Sequence, residues 1–412
     1  MSSNSKTPSL FITLMAWLTC SLFYGYSSSV ISAITTASSD MQETLSISKF
    51  DFGIITSTFL LSYALMHIPV GIILDHYSVR KSMYYAIGGF TLGCAVISVS
   101  QSYHLVLFSR LMMGICSAFG VLGAFKVATD FLPRNLFATL AGLTVSAGML
   151  GAILGTSFIT KLNGLGSYQQ AFSYYTYFGA LLTLSAFIFI KDSPKRKSSP
   201  SLNNISQEIQ SVLCNKMSMQ IILYAMILYT PYLMLKDTYG IEFFEQYYNT
   251  TKEQASEYMN LILIASVFAA PSLGIISDYL GKRLPLLKIT GVLLFFLSAI
   301  IFTKTIPAYL SINVFLFGFC SWGFLIAFSI FKETHSEHIV STGLGVMNSI
   351  NMLGGIILAP LFGKALETIP NLFEVTEMQA WKITFCILPL LILCALPMLR
   401  SIPETHCKQV RT

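Results

Sequence analysis

Seven ionisable side chains stand out in or at the ends of long apolar runs: His67, Arg110, Lys126, Lys236, Asp237, Glu242 and Lys332. A charge at mid-bilayer depth costs at least about 2.5–3.5 kcal/mol, so each needs a chemical reason to be there. Arg110 can hold an anion, take part in proton movement, or simply bind backbone carbonyls. Lys126 lies 16 residues further on, about 24 Å along the same helix at 1.5 Å per residue. Lys126 and Lys332 together can draw an anionic solute. Alternatively Lys126 pairs with Asp130 at i+4, and Lys332 snorkels to water. Lys236, Asp237 and Glu242 read as a mutually neutralising cluster or a gate. His67 titrates in the range of a proton switch, although a lone helical histidine also serves as an ordinary hydrogen-bonding group. The first apolar run has no mid-span acid and offers Tyr24, Tyr26 and Ser27–Ser29 instead.

Polar and aromatic side chains at similar depth are candidate contacts for a solute. Tyr24, Tyr26, Tyr63, Tyr224 and Tyr229 combine a flat apolar face with a hydroxyl. Asn348 and Asn351 are amides that lipid cannot satisfy. Gly148, Gly151 and Gly155 recur at helical spacing and are read as close helix contacts that slide during transport. Gly71 and Gly274 are read as points of close helix approach.

The elements that must position these groups are membrane helices. The chain is 54% hydrophobic and 11% charged, with mean hydropathy +0.67, whereas a soluble domain carries about 25% charge. Twelve apolar runs reach the length a bilayer demands: 10–34, 50–74, 82–100, 105–129, 137–162 and 168–190, then 217–244, 254–277, 284–303, 308–331, 341–366 and 380–400. The two sets echo each other. Gly71-Ile72-Ile73-Leu74-Asp75 returns as Gly274-Ile275-Ile276-Ser277-Asp278, Gly114, Cys116 and Ser117 return as Gly318, Cys320 and Ser321, and Met149-Leu150-Gly151 returns as Met352-Leu353-Gly354. A nearly constant offset, 203 or 204 residues, marks a duplicated membrane unit. The expected organisation is an N-terminal six-helix bundle over 1–190, a linker over 191–216 with a short surface helix near 205–213, and a C-terminal bundle over 217–412. Sixteen Lys and Arg residues fall on the side of the linker and termini against six on the other, which places both termini in the cytoplasm. The basic residues sit in short loops, so nucleic acid is not a partner. The eight cysteines are scattered and read as packing thiols.

Six plus six spans, a basic central linker and the repeated Gly-x-x-x-Asp loop resemble the major facilitator superfamily of secondary transporters. That family's loop runs Gly-x-x-x-Asp-Arg-x-Gly-Arg-Arg. The second copy fits through Gly274, Asp278, Gly281, Lys282 and Arg283. The first keeps Gly71 and Asp75 but has His76, Ser78 and Val79 at the next family positions, with Arg80 and Lys81 still basic. Arg110-x-x-x-Gly114 and Phe131-Leu132-Pro133-Arg134 are further family-like stretches. The resemblance implies an all-α membrane protein of twelve transmembrane helices in two pseudo-symmetric bundles. It also implies gating clusters of Asp75, Arg80 and Asp130 in one half and Asp278, Arg283 and Glu333 in the other.

The expected function is secondary transport, including symport, of a small polar, carboxylate-bearing solute by alternating access: an organic acid, amino acid, peptide or carboxylate siderophore. Arg110, Lys126, Lys332, Tyr24, Tyr26, Tyr63, Tyr229, Asn348 and Asn351 are the expected solute contacts, and His67 is the proton-coupling candidate. No nucleotide loop, zinc-protease helix or nucleophile elbow is present, so the expectation is a carrier rather than an enzyme, with no cofactor or metal. The expected partners are the solute, the lipid bilayer and protons, and the expected state is a monomer. Compact loops favour a bacterial inner membrane, and Asn249-Thr250-Thr251 keeps a eukaryotic compartment open. The alternative function is a proton-coupled exporter of drugs or amphipathic metabolites, against which span five lacks a Gly-Pro pair. A transport-dead sensor would add a soluble domain, and the termini are short.

Overall fold

The computed structural model describes residues 10–132, 137–162, 167–192, 202–304, 307–335 and 337–408, and among these it contains helices and turns but no strand. Spans one to six are Leu10–Thr36, Lys49–His76, Val79–Val99, Tyr103–Phe131, Phe137–Leu162 and Tyr168–Phe189. Spans seven to twelve are Lys216–Tyr247, Lys252–Leu280, Leu284–Thr303, Leu310–Thr334, Glu337–Phe373 and Glu377–Arg400. Eleven segments among the described residues are long and apolar enough to cross a membrane, and span two, a helix of 28 residues, completes the twelve. Leucines such as Leu65, Leu154 and Leu181 face outward, as expected of a surface solvated by lipid. The end of the molecule that carries the linker is called the linker end below, and the opposite end the far end.

Local sequence sets where several helices begin. Three of the even-numbered spans start at the far end with a capping box, Ser48 with Asp51, Thr251 with Gln254 and Thr376 with Gln379. In each, side chain and backbone satisfy one another's free N–H groups. Span eight ends at the linker end on Gly281, whose φ of +60° suits glycine.

Glycines decide how closely the spans pack. A Cβ on Gly151 would lie 2.0 Å from the Gly25 carbonyl oxygen, and one on Gly155 would lie 2.1 Å from that of Ser29. Spans one and five thus touch backbone to backbone. Both belong to the same half, so this seam holds a bundle together and is not the surface on which the halves slide. Between the halves, span two meets span eleven instead: a Cβ on Gly53 would lie 2.6 Å from the Ala359 oxygen, and one on Gly363 would lie 2.4 Å from the Lys49 oxygen. Gly71 and Gly274 have open space around them, which corrects their reading as points of close approach.

Four features depart from uniform spans. A short helix, Ser38–Leu45, links spans one and two. Spans four and ten each break near mid-membrane, after Ser117 and Ser321. Ser321 donates back to the Phe317 carbonyl at 2.7 Å, a bond that bends helices. Span seven passes through π-helical turns at Met234–Tyr239 and Phe243–Tyr247. The linker helix is Leu202–Cys214, where Glu208 accepts a hydrogen bond from Thr342 of span eleven at 2.5 Å.

Candidate functional site

Between the two halves lies a cavity of about 120 Å³, walled by Tyr24, Ser27, Phe59, Tyr63 and Ser117 of one half and Tyr229, Tyr232, Lys236, Asp237 and Trp322 of the other. The breaks in spans four and ten fall here, placing Ser117 and Trp322 at the wall.

Two aromatic ladders face each other. In span two, Phe59 stacks on Tyr63 at 6.0 Å, and Tyr63 meets the His67 ring edge-on at 4.4 Å. In span seven, Tyr229 stacks on Tyr232 at 5.5 Å; Tyr232 meets Trp322 edge-on at 6.2 Å and accepts a hydrogen bond from Ser266 at 3.3 Å. Rings in this arrangement present flat faces and orienting hydroxyls to a solute.

The charges are unequal. Lys236 Nζ pairs with Asp237 Oδ1 at 2.5 Å, with side chains 15% and 7% exposed. Behind Phe59, the Arg110 guanidinium lies 4.3 Å from the ring centroid and is 1% exposed, with Nε and Nη1 lacking hydrogen-bond partners. Asp237 is the acid whose charge attracts it. Two buried cations and one carboxylate thus lie at or behind the wall, and the carboxylate is bonded to Lys236.

The far end is sealed by bonds between the halves. Tyr239 Oη donates to the Lys49 carbonyl of the other half at 3.0 Å and, within its own half, to the Ala359 carbonyl at 2.8 Å. Lys49 Nζ donates to Gln246 at 3.0 Å, Glu367 accepts from the Phe50 amide at 2.8 Å, and Lys252 pairs with Asp40 at 3.3 Å. Spans five and eight join through Thr160 and Ser256 at 2.6 Å and Asn260 and Ser157 at 3.2 Å, all toward the far end. Further toward the linker end, Asn348 bonds His67 Nδ1 across the halves at 2.6 Å, while His67 Nε2 has no partner.

At the linker end the two halves differ. Arg283 bonds Asp278 at 2.7 Å and Glu333 at 2.8 Å. Burial opposes its charge, but these bonds outweigh burial and hold the guanidinium above its ordinary pKa. The C-terminal tail joins this cluster. Glu404 accepts from the Arg283 and Leu284 amides at 2.9 Å each, and Thr405 donates to Glu333 at 2.5 Å. Partial burial works against ionisation of Glu404, and the amides of Arg283, His406 and Leu284 overcome it, so its carboxyl sits below the usual range. In the other half, Arg80 donates to the Phe187 carbonyl at 2.8 Å and lies over that ring, while Asp130 pairs with Lys126 at 3.2 Å. Asp75 lies in the last turn of span two, and its side chain lies outside the described residues.

Of the nine residues expected to touch solute, Tyr24, Tyr63 and Tyr229 line the cavity. The structure places the rest elsewhere. Tyr26 donates to the Tyr175 carbonyl at 2.9 Å and faces an apolar groove of about 520 Å³ among spans one, five and six. Lys126 is held by Asp130, and Lys332 is exposed. Asn348 is taken by His67, and Asn351 is buried with neither amide atom bonded. Arg110 stands behind the wall, and Tyr224, also raised as a cavity residue, is buried toward Gly291 of span nine. Tyr232, Phe59 and Trp322 were missed. The signal for Tyr232 was its i+3 spacing from Tyr229 and i+4 spacing to Lys236. That for Trp322 was its place beside the Ser117–Ser321 echo.

A sequence model of the Major Facilitator Superfamily matches residues 17–359 and 238–409, and the chain belongs to that family. It is a multi-pass membrane protein of a family of transporters. Among relatives, a hexuronate transporter of Bacillus subtilis (strain 168) is 23% identical over 175 residues, a stretch covering 42% of this chain and 41% of that protein. Among solved structures, a bacterial homologue of the human lysosomal transporter Spinster, inward-facing and unoccupied, superposes with TM-score 0.75 at 14% identity, covering 96% of this chain and 98% of that one. The nucleoside transporter NupG gives 0.76 at 14%, covering 95% and 98%, and a D-xylose-proton symporter gives 0.71 at 16%, covering 97% and 99%. At these identities the superpositions speak for the fold.

Proposed function

We propose that this protein moves a small polyhydroxylated or otherwise polar solute bearing a carboxylate, by alternating access of the central cavity to the two sides of the membrane. The carrying observation is the charge imbalance at that cavity. Arg110 and Lys236 leave one positive charge unmatched by Asp237. In a low-dielectric site an anionic group on the solute would complete the neutralisation. Facing tyrosines and Trp322 suit the flat and hydroxylated parts of such a molecule. The hexuronate transporter among the relatives handles an acidic sugar, which agrees with this reading.

In this reading the halves, residues 1–190 and 217–412, rock about the cavity while the linker over 191–216 spans them. The linker end faces the cytoplasm, following the excess of Lys and Arg on that side. Spans two and eleven act as the pivot, the far-end bonds are the gate closed here, and the Arg283 cluster braces one half as the other moves. His67 and Asn348, joined across the halves, would part when the linker end opens fully.

The test is uptake into proteoliposomes of a labelled hexuronate and of the matching neutral hexose. Saturable uptake favouring the uronate, with the preference lost in Lys236→Gln, is expected. No saturable uptake of any carboxylate across a panel of sugar, organic and amino acids would overturn the reading, as would a preference that survives both Lys236→Gln and Arg110→Gln.

A further inference from the structure

The far-end seam holds a buried acid that transport of an anion does not require. Glu242 lies in the short α-helical turn Gly240–Glu242 between the two π-helical segments of span seven and is 1% exposed. Its Oε1 accepts a hydrogen bond from the Gln42 side-chain amide, which belongs to the helix Ser38–Leu45 of the other half. Its Oε2 is buried without a hydrogen-bond partner, and so is the neighbouring Ser38 hydroxyl. Among the described residues no ion pair involves Glu242.

The charged groups around it have bonds of their own. Lys49 of span two donates to Gln246 and lies 4.9 Å from the Trp381 ring centroid. Lys252 of span eight pairs with Asp40 of the short helix. Tyr239, one turn back in span seven, donates to the Lys49 and Ala359 carbonyls. Glu245 in span seven adds a like charge, Glu253 in span eight adds another nearby, and Glu367 of span eleven accepts from the Phe50 amide.

We propose that Glu242 is a proton-binding site that locks the far-end seam, so that the seam closes with uptake of one proton from the far-side solution and reopens with its release to the same side. The Ser38 hydroxyl can donate to an ionised Oε2 or accept from a protonated one, and Oε1 accepts from Gln42 in either form. What separates the two forms is charge: the anion would be buried at 1% exposure without an ion pair. Burying a neutral, bonded carboxylic acid avoids the desolvation that a buried carboxylate suffers. When the halves part at this end, Gln42 and Ser38 withdraw, water reaches the carboxylate, and the proton leaves. The bond formed on closing and broken on opening is Oε2–H, and no proton crosses the membrane in the cycle. Acid on the far side would thus favour the sealed state. This inference is independent of the solute's identity.

The test reads seam opening directly in the full-length protein. Ser256, 3% exposed and bonded to Thr160 across the seam, is replaced by cysteine. The partly or fully exposed Cys214, Cys386, Cys394 and Cys407 become serine. Labelling by a membrane-impermeant maleimide is followed at about pH 5 and about pH 8, spanning the usual carboxyl range and neutrality, and is normalised to a cysteine at exposed Gln101. Normalised labelling is expected to be several-fold slower in acid, because protonation adds population to the sealed state. In Glu242→Gln, which keeps the bonded neutral amide, labelling should be slow at both pH values. Labelling independent of pH with Glu242 intact, or pH dependence that survives Glu242→Gln, overturns the proposal. Thr160→Cys serves as the reporter if Ser256→Cys does not accumulate. Glu242→Ala, which removes the carboxyl outright, should abolish the pH dependence if Glu242→Gln does not accumulate.

Discussion

Removing Asp237 should harm the protein more than removing its partner Lys236. The ranking follows from counting charges. Asp237→Asn leaves Arg110 and Lys236 buried at the cavity with no acid to offset them. Breaking a buried pair so that charge is stranded costs about 3–5 kcal/mol. Lys236→Met strands less, because Arg110 remains as a counter-charge for Asp237, and its cost should fall to about 1–3 kcal/mol, the range of a lost charged hydrogen bond. A cooperative unit the size of one half shifts its melting temperature by about 2–4 °C per kcal/mol. Asp237→Asn should therefore melt about 6–20 °C below wild type and Lys236→Met about 2–12 °C below. The assay is thermal unfolding of the purified protein in detergent. Adding a carboxylate solute should recover more of the loss in Asp237→Asn than in wild type, since the solute supplies the missing anion. If Lys236→Met proves the less stable of the two, or if Asp237→Asn melts with wild type, the two-cations-one-acid account is wrong.

The remaining expectations are simpler. Gly151→Ala, whose Cβ would stand 2.0 Å from the Gly25 oxygen, should destabilise by about 1–3 kcal/mol, whereas Gly142→Ala, with open space at its Cβ, should gain up to about 1 kcal/mol of helix propensity; comparative melting checks both. Glu333→Gln should loosen Arg283 and the Thr405 contact together, read as faster hydrogen exchange across residues 401–408. The same exchange measurement tests Glu404. Its folded pKa is depressed, so its hold on the tail is complete above the ordinary carboxyl range and is lost as pH falls through the lowered value. Tail protection should thus persist at neutral pH and fade in acid below about pH 4, and Glu404→Gln should lose protection already at neutral pH.

Much of the fold was open to reading because lipid imposes it. Hydropathy marked the spans, and the echoes at Asp75 and Asp278 and at Ser117 and Ser321 gave the two halves. The gate residues were legible in proportion to how intact their loop was. The second copy, with Gly281 and Arg283 in place, assembles Asp278, Arg283 and Glu333. In the first, Ser78 and Val79 stand where the family has other residues. There Arg80 turns to the end of span six, and Asp130 takes the i+4 partner Lys126 that helix geometry offered.

The cavity wall was harder to read, because hydropathy gives a span's limits but not its rotation. Tyr24 and Tyr26 are two residues apart, about 200° around a helix, so they cannot both face one cavity. Tyr24 does, and Tyr26 faces the groove on the outside of its own half. That constraint was available in advance; which tyrosine would win was not, since it depends on how Gly25 and Gly151 lock span one against span five. Span seven departs further. Lys236 and Asp237 are consecutive and both reach the cavity, in the π-helical segment Met234–Tyr239. A regular α-helix turns neighbours about 100° apart, a separation the wall spans elsewhere with Ser27 and Ser28 of span one. π-helical turns occur frequently at functional sites. Here the irregular turn sets the acid and a cation side by side at the wall, with Arg110 behind it, and so creates the charge imbalance on which recognition of an anion would depend.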